Sequence, residues 1–260
     1  MSEGRIVVKR EGAAAHVRMD NPAAYNALTS QMWLDLRDAA LGFAQDHSIR
    51  VVTFRGTGGK AFVSGTDISK FADYETGRQG VDYEREIDEC MGAVDKIPCT
   101  TIAAVEGWAV GGGINIASAC DFRIATPDAK FGSPIGRTIG NCLSAASVAR
   151  IGGAMGVQFA KRMVLLGEML PADQLYASGF LLKIVEREDM DAELTALCEQ
   201  ASANAPLTTR ATKETIRRMT LENLPDIEEL IAEVYGSADF HRGVADFLAK
   251  TRRVPDWTGR

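Results

Sequence analysis

Three consecutive glycines, Gly111, Gly112 and Gly113, stand within residues 105–121, V-E-G-W-A-V-G-G-G-I-N-I-A-S-A-C-D, between the β-branched run Thr100–Val105 and an Ile/Ala-rich segment with helical spacing. A chain of this pattern turns from strand into helix at the glycines. The first amides of a helix lack internal acceptors, the helix dipole is positive there, and glycine lets a ligand reach the backbone with no Cβ in the way. The junction suits an anion. A dinucleotide fingerprint counted from Gly111 needs glycine at the position of Ile116, and a P-loop counted from Gly107 needs lysine at the position of Gly113. What remains is a smaller, developing negative charge, or a tight packing turn with no ligand.

A second turn of the same kind lies upstream, in R-G-T-G-G-K-A-F-V-S-G-T-D-I-S-K over residues 55–70, after a strand-like run over 50–54. Ser64-Gly65-Thr66-Asp67 leads into a short helix that Asp67 can cap. Two such turns can aim two backbone amides at one oxygen.

With Asn21-Pro22, Asn26-Ala27-Leu28, residues 56–67 and 104–121, Phe131-Gly132-Ser133-Pro134 and the tail over 239–253, the chain resembles the enoyl-CoA hydratase/isomerase (crotonase) family over nearly its whole length. The resemblance implies an α/β fold, a spiral of repeated β-β-α units over residues 1–204 that holds an acyl-CoA site. A C-terminal helical appendage over 205–260 would follow and pack against neighbouring subunits in a homotrimer or homohexamer. It implies an enzyme that holds an enolate-like oxyanion of a coenzyme A thioester with two backbone N–H groups, by position those of Thr66 and Gly112. Each such donor contributes about 2.7 to 4 kcal/mol to transition-state stabilisation. No cofactor beyond the coenzyme A moiety of the substrate is implied. That moiety would meet Lys60, Ala61, Ser64, Asp67 and Ile68, and Phe247 and Lys250 near its adenine and phosphates. A packed aromatic at Phe247 and a solvated lysine at Lys250 are equally open readings.

The chain departs from the family where the chemistry is done. Hydration needs a base for water and an acid for the α-carbon, and the hydratases use two glutamates, one three residues after the middle glycine and one after the proline of F-G-x-P. Here those positions hold Asn115 and Ile135, and no Asp or Glu occurs between Asp128 and Glu168. Asn115 can orient a water or a carbonyl but takes no proton at neutral pH. In I-G-R-T-I-G-N-C-L-S, residues 135–144, Arg137 suits a substrate carboxylate or a water-positioning network, with a surface ion pair as the alternative. Cys142 reads as a small buried thiol before a nucleophile, and Asn141 and Ser144 as turn or cap residues. The acidic run over 71–95 reads as a solvated helix that in the family can border the acyl pocket, which makes Glu84 and Glu86 reserve acid/base candidates. Many relatives carry a basic residue for the cofactor phosphates where Ala23-Ala24-Tyr25 stands, and Lys60 and Arg55 are the cations left to replace it.

The remaining sequence narrows the class. With 46% hydrophobic and 25% charged residues in 260, the chain can bury a large core, and its net charge of -6 argues against a nucleic-acid partner. No apolar run reaches membrane length and M-S-E-G-R lacks a signal core, so the expected setting is cytoplasmic. Five cysteines without a C-x-x-C pair and three scattered histidines leave little basis for a disulfide framework or a metal centre. Strands are expected at 6–9, 13–19, 51–54, Thr100–Val105 and Phe122–Ala125. Helices are expected at 29–45, 113–120, 157–166, 171–178, 190–203 and 206–219, with two more before Lys250. The leading expectation is an acyl-CoA enzyme working through an enolate, with ordinary enoyl-CoA hydration the poorest fit. A catalytically silent acyl-CoA binding or scaffold protein is the alternative, and a plain α/β domain without ligand ranks last.

Overall fold

The computed structural model describes residues 4–251 and 257–259; Met1, Ser2 and Glu3 of the M-S-E-G-R start, and Arg252 and Arg253 of the family-like tail, lie outside them. Two sheets carry the fold. The larger holds β1 (Arg5–Glu11), β2 (Ala14–Asp20), β3 (Val51–Gly56), β5 (Thr100–Val105), β7 (Phe122–Ala125) and β10 (Lys183–Ile184) in the order β1-β2-β3-β5-β7-β10. Only β1 and β2 pair antiparallel; the rest run parallel. The smaller sheet holds β4 (Ala61–Val63), β6 (Trp108–Val110), β8 (Lys130–Gly132) and β9 (Leu170–Pro171) in that order, with β4, β6 and β8 parallel.

The chain visits the two sheets alternately and then makes a helix. It runs β3, β4 and α2 (Gly77–Asp95), then β5, β6 and α3 (Gly112–Ala119), then β7, β8 and the helices α4 (Ile135–Thr138) and α5 (Ala145–Met155). Three β-β-α turns therefore stack side by side, the spiral that the family resemblance implies and that no fixed-period repeat in the sequence discloses. Parallel neighbours need such crossovers, and a strand covered on both sides is buried along its whole length, as β5 is.

Local signals account for the helix starts. Thr29 accepts a hydrogen bond from the Met32 N–H and caps α1 (Ser30–Gln45), and Ser144 accepts one from the Ser147 N–H and caps α5. Asn26 is a structural residue: at φ 58 and buried, it accepts from the Asn21 N–H and donates to the Thr57 and Ala61 carbonyls. It therefore staples the start of β4 to the loop after β2.

The acidic run over 71–95 is solvated on one face only. Val81, Tyr83, Glu84, Ile87, Cys90, Met91 and Val94 of α2 are buried. Further along come α6 (Val157–Leu165), α7 (Ala172–Ala177), α8 (Met190–Ser202) and α9 (Pro206–Leu221), the last with no buried residue. Of the final helices, α10 (Glu228–Tyr235) folds back onto α2, and α11 (Ala238–Leu248) packs on Ser69–Asp73, α4 and α10. Ile231, Tyr235, Phe240 and Val244 join the same hydrophobic core as Phe71, Val81 and Met91. Tyr235 seats against Gly80, where a Cβ would overlap its ring. Among the described residues no helix is long and apolar enough to cross a membrane.

Candidate active site

The two glycine turns end neighbouring parallel strands, β4 and β6, and meet in space. Gly65 (φ 130) precedes Thr66, and Gly111 (φ 53) precedes Gly112. These positive φ values are glycine conformations, and each swings the following N–H away from its strand. A Cβ on Gly111 would stand 3.7 Å from the Gly65 Cα; one on Gly112 would stand 3.5 Å from Thr66 Oγ1 and 2.7 Å from the Trp33 indole. The Thr66 N–H donates to no acceptor among the described residues, and neither does the Gly112 N–H, the first of α3. The positive end of the α3 dipole and two free donors thus face one place.

That place opens on a cavity of about 150 Å³. Trp33, Ile68, Phe71, Ile87, Ile135 and Phe247 make it apolar, and among the described residues Glu84 is the single carboxylate in its wall. The Glu84 side chain is buried, accepting from the Ser144 N–H at 3.0 Å and from the Tyr235 hydroxyl at 2.7 Å. Burial dominates its titration and lifts the pKa to about 7, against the two hydrogen bonds, with the neighbouring Asp88 charge pushing the same way as burial. A carboxyl poised near neutrality in an apolar pocket can both take and return a proton.

Asn115 also lines the cavity, yet both ends of its amide are engaged. Its Nδ2 donates to Ser147 Oγ at 2.9 Å and its Oδ1 accepts from Arg150 Nη1 at 2.9 Å, while Arg150 forks onto Asp95 at 2.7 and 3.1 Å. Removing the cation leaves a buried carboxylate and amide oxygen without their donor. Arg150→Met is therefore expected to lower the unfolding free energy by about 3 to 5 kcal/mol, read from urea denaturation; an unchanged midpoint would mean the network contributes no stability.

The other sequence candidates are scattered. Glu86 lies on the solvated face of α2, 3.5 Å from Lys70. Arg137 is exposed, lies over Gly167 and does not line the cavity, so it is placed to hold neither an acyl carboxylate nor a water there. Arg55 cannot stand in for a phosphate-binding residue, because Glu106, at 2.6 Å, and Asp191 already engage it. Ser64, Ile68 and Phe247 line the cavity with Thr66. Lys60 is exposed in a separate surface hollow with Tyr25 and Trp108, and Lys250 is exposed at the end of α11. Ala61 is buried in β4, and the Asp67 carboxylate accepts from the Ser69 N–H. Burial lifts the Cys142 thiol to about 12, which leaves it unreactive. Tyr235, Tyr83 and Trp33 are site residues that the sequence did not disclose, since nothing local marks them as polar partners of a pocket.

Comparison with known proteins adds to this geometry. The family model described as Enoyl-CoA hydratase/isomerase matches residues 9–260. The chain is 30% identical over 265 residues to the 2,3-dehydroadipyl-CoA hydratase of Escherichia coli (strain K12), with 100% of both chains covered. It is 26% identical over 257 residues to the crotonyl-CoA hydratase of Syntrophomonas wolfei, covering 97% of this chain and 98% of that one. A solved enoyl-CoA hydratase/carnithine racemase from Magnetospirillum magneticum superposes with a TM-score of 0.79 at 34% identity, over 100% of this chain and 97% of that one.

Proposed function

The chain belongs to the enoyl-CoA hydratase/isomerase family of enzymes, and from that premise we propose that it processes an acyl-coenzyme A thioester through an enolate held by the Thr66 and Gly112 amides, with Glu84 carrying the proton. The observation that supports this most is the meeting of the two free amides at the mouth of a cavity whose one carboxylate titrates near 7. Deprotonating a carbon next to a thioester puts negative charge on the thioester oxygen, and fixed donors at that oxygen lower the barrier. Ser64, Ile68 and Phe247 line the same cavity, and in this reading they meet the coenzyme A moiety.

One carboxyl with no second acid suits a proton shift. Glu84 takes a proton from one carbon of the acyl group, the electron pair moves into the thioester oxygen, and Glu84-H returns the proton to another carbon as the charge collapses back. Hydration is the second reading, favoured by the hydratase relatives, and would need Glu84 to serve water and carbon in turn. We assign the assembly to copies of this chain, a homotrimer or homohexamer, on the exposed apolar residues Leu207, Ile216 and Met219 of α9.

The experiment is mass spectrometry of crotonyl-CoA and a panel of unsaturated and carboxylated acyl-CoAs incubated with the protein in heavy water. Deuterium gain without added water is the expected result. Addition of heavy water would establish hydration instead, and thioesters left unchanged by an enzyme that binds them would overturn the catalytic reading.

A further inference from the structure

We propose that the Thr66 side chain is a third donor to the thioester oxygen, its hydroxyl turned toward the cavity by Trp33 and Tyr83 behind it. The inference rests on the reading of the Thr66 and Gly112 amides as oxyanion donors and extends it from backbone to side chain. Trp33 Nε1 donates to Thr66 Oγ1 at 3.3 Å, and the Tyr83 hydroxyl lies 3.1 Å from the same oxygen.

The direction of the second bond follows by elimination. An indole N–H can only donate, so one lone pair of Oγ1 is taken by Trp33. Tyr83 is buried, and burial together with the Glu84 charge raises its pKa, so it is a neutral phenol with one proton to place. Thr66 Oγ1 is the one hydrogen-bond partner of that phenol among the described residues. Tyr83 also lines the cavity but is buried, whereas Thr66 is half-buried, so the proton left without a protein acceptor is better borne by Thr66; left on Tyr83 it would cost about 1 to 3 kcal/mol. Tyr83 therefore donates, and both lone pairs of Oγ1 are filled.

The Thr66 proton is then the one group of this trio without an acceptor among the described residues, and Thr66 lines the cavity. It sits beside the second amide, since the Cβ position of Gly112 is 3.5 Å from Oγ1. A hydroxyl that accepts twice is a stronger donor, because successive hydrogen bonds polarise one another. One residue thus supplies a backbone and a side-chain donor to the same developing charge.

The test is the carbonyl stretch of crotonyl-CoA labelled with carbon-13 at the thioester carbon, measured by difference infrared spectroscopy on the bound ligand, beside kcat and KM. Wild type is expected to lower the frequency. Thr66→Val, which keeps the backbone N–H and the side-chain shape, should show a smaller shift and a kcat about tenfold lower, below the 10²- to 10³-fold typical of a sole donor, with KM little changed. Thr66→Ser should restore the shift, and Tyr83→Phe should fall between. Equal shifts in wild type, Thr66→Val and Tyr83→Phe would overturn the side-chain donor. No shift in wild type itself would overturn the two-amide reading beneath it. If Thr66→Val loses its fold, Tyr83→Phe tests the same hydrogen-bond chain with Thr66 in place.

Discussion

Glu84→Gln is expected to lower turnover by about 10²- to 10⁴-fold while leaving acyl-CoA binding within a small factor, because it removes the proposed proton carrier and keeps the shape of the pocket. In the wild type, kcat/KM should rise about tenfold per pH unit below 7 and level off above it, as the Glu84 carboxyl, lifted to about 7 by burial, becomes the base. The residual activity of the Gln variant should lack that limb. The same group leaves a mark on stability. Its pKa is raised from 4.5 to about 7 on folding, so the native state keeps a proton that the unfolded chain has already released between those values. Stability must therefore fall as pH rises through that window, by about 3 kcal/mol in order of magnitude, and stay level above it. Asp88, also raised chiefly by burial, adds a contribution of the same sign. Glu84→Gln is neutral at every pH and should show a shallower fall between pH 5 and pH 8 in urea midpoints. Parallel pH dependences in the two proteins would mean that Glu84 is charged in the folded state throughout, and would sink its role as the proton carrier.

Gly65→Ala is expected to cost about 10²- to 10³-fold in kcat, the effect of losing one oxyanion donor. Crowding is not the cause. The nearest atom to the added methyl is the Val110 carbonyl oxygen at 3.9 Å, an ordinary contact. The conformation is the cause: at φ 130 an L-residue is strained by about 1 to 3 kcal/mol, and the turn relieves this by rotating, which swings the Thr66 N–H off the oxygen. Gly112→Ala is a poorer probe, because its methyl would meet the Trp33 indole at 2.7 Å and mix packing damage with loss of the donor. The measurement is kcat beside thermal unfolding. Full activity in a folded Gly65→Ala protein would show that the Thr66 amide does not serve the reaction.

The glycine turns were readable in the sequence because their chemistry is local. A β-branched run entering Gly-Gly-Gly has few conformations open to it, and the strands Thr100–Val105 and Phe122–Ala125 fall where their apolar runs lie. Glu84 was only one carboxylate among eight acidic residues over 71–95, and its distinction is made by partners far along the chain. Tyr235 is 151 positions away and Ser144 is 60, and neither has a local signature. Arg137 shows the opposite error: proximity in sequence to Ile135 and Thr138, which line the cavity, does not carry its side chain inward, and it lies outside over Gly167. Asn115 was located correctly on the first turn of α3, but its engagement by Arg150 and Ser147 depends on how α3 meets α5, which no single segment specifies.

Thr66 lies just past β4 and Gly112 just past β6, and because these strands are direct parallel neighbours the ladder between them brings the two turns, and with them the two amides, side by side. That anchor is made of peptide bonds and depends on the glycines of its two turns, not on Asn115, Ile135 or Glu84. Exchange of Asn115, Ile135 or Glu84 can change which carbon gains or loses a proton without moving the point where the oxygen is held. In such an architecture the anchor and the reactive groups vary independently: one is written in the ladder, the others in the helices that close over it.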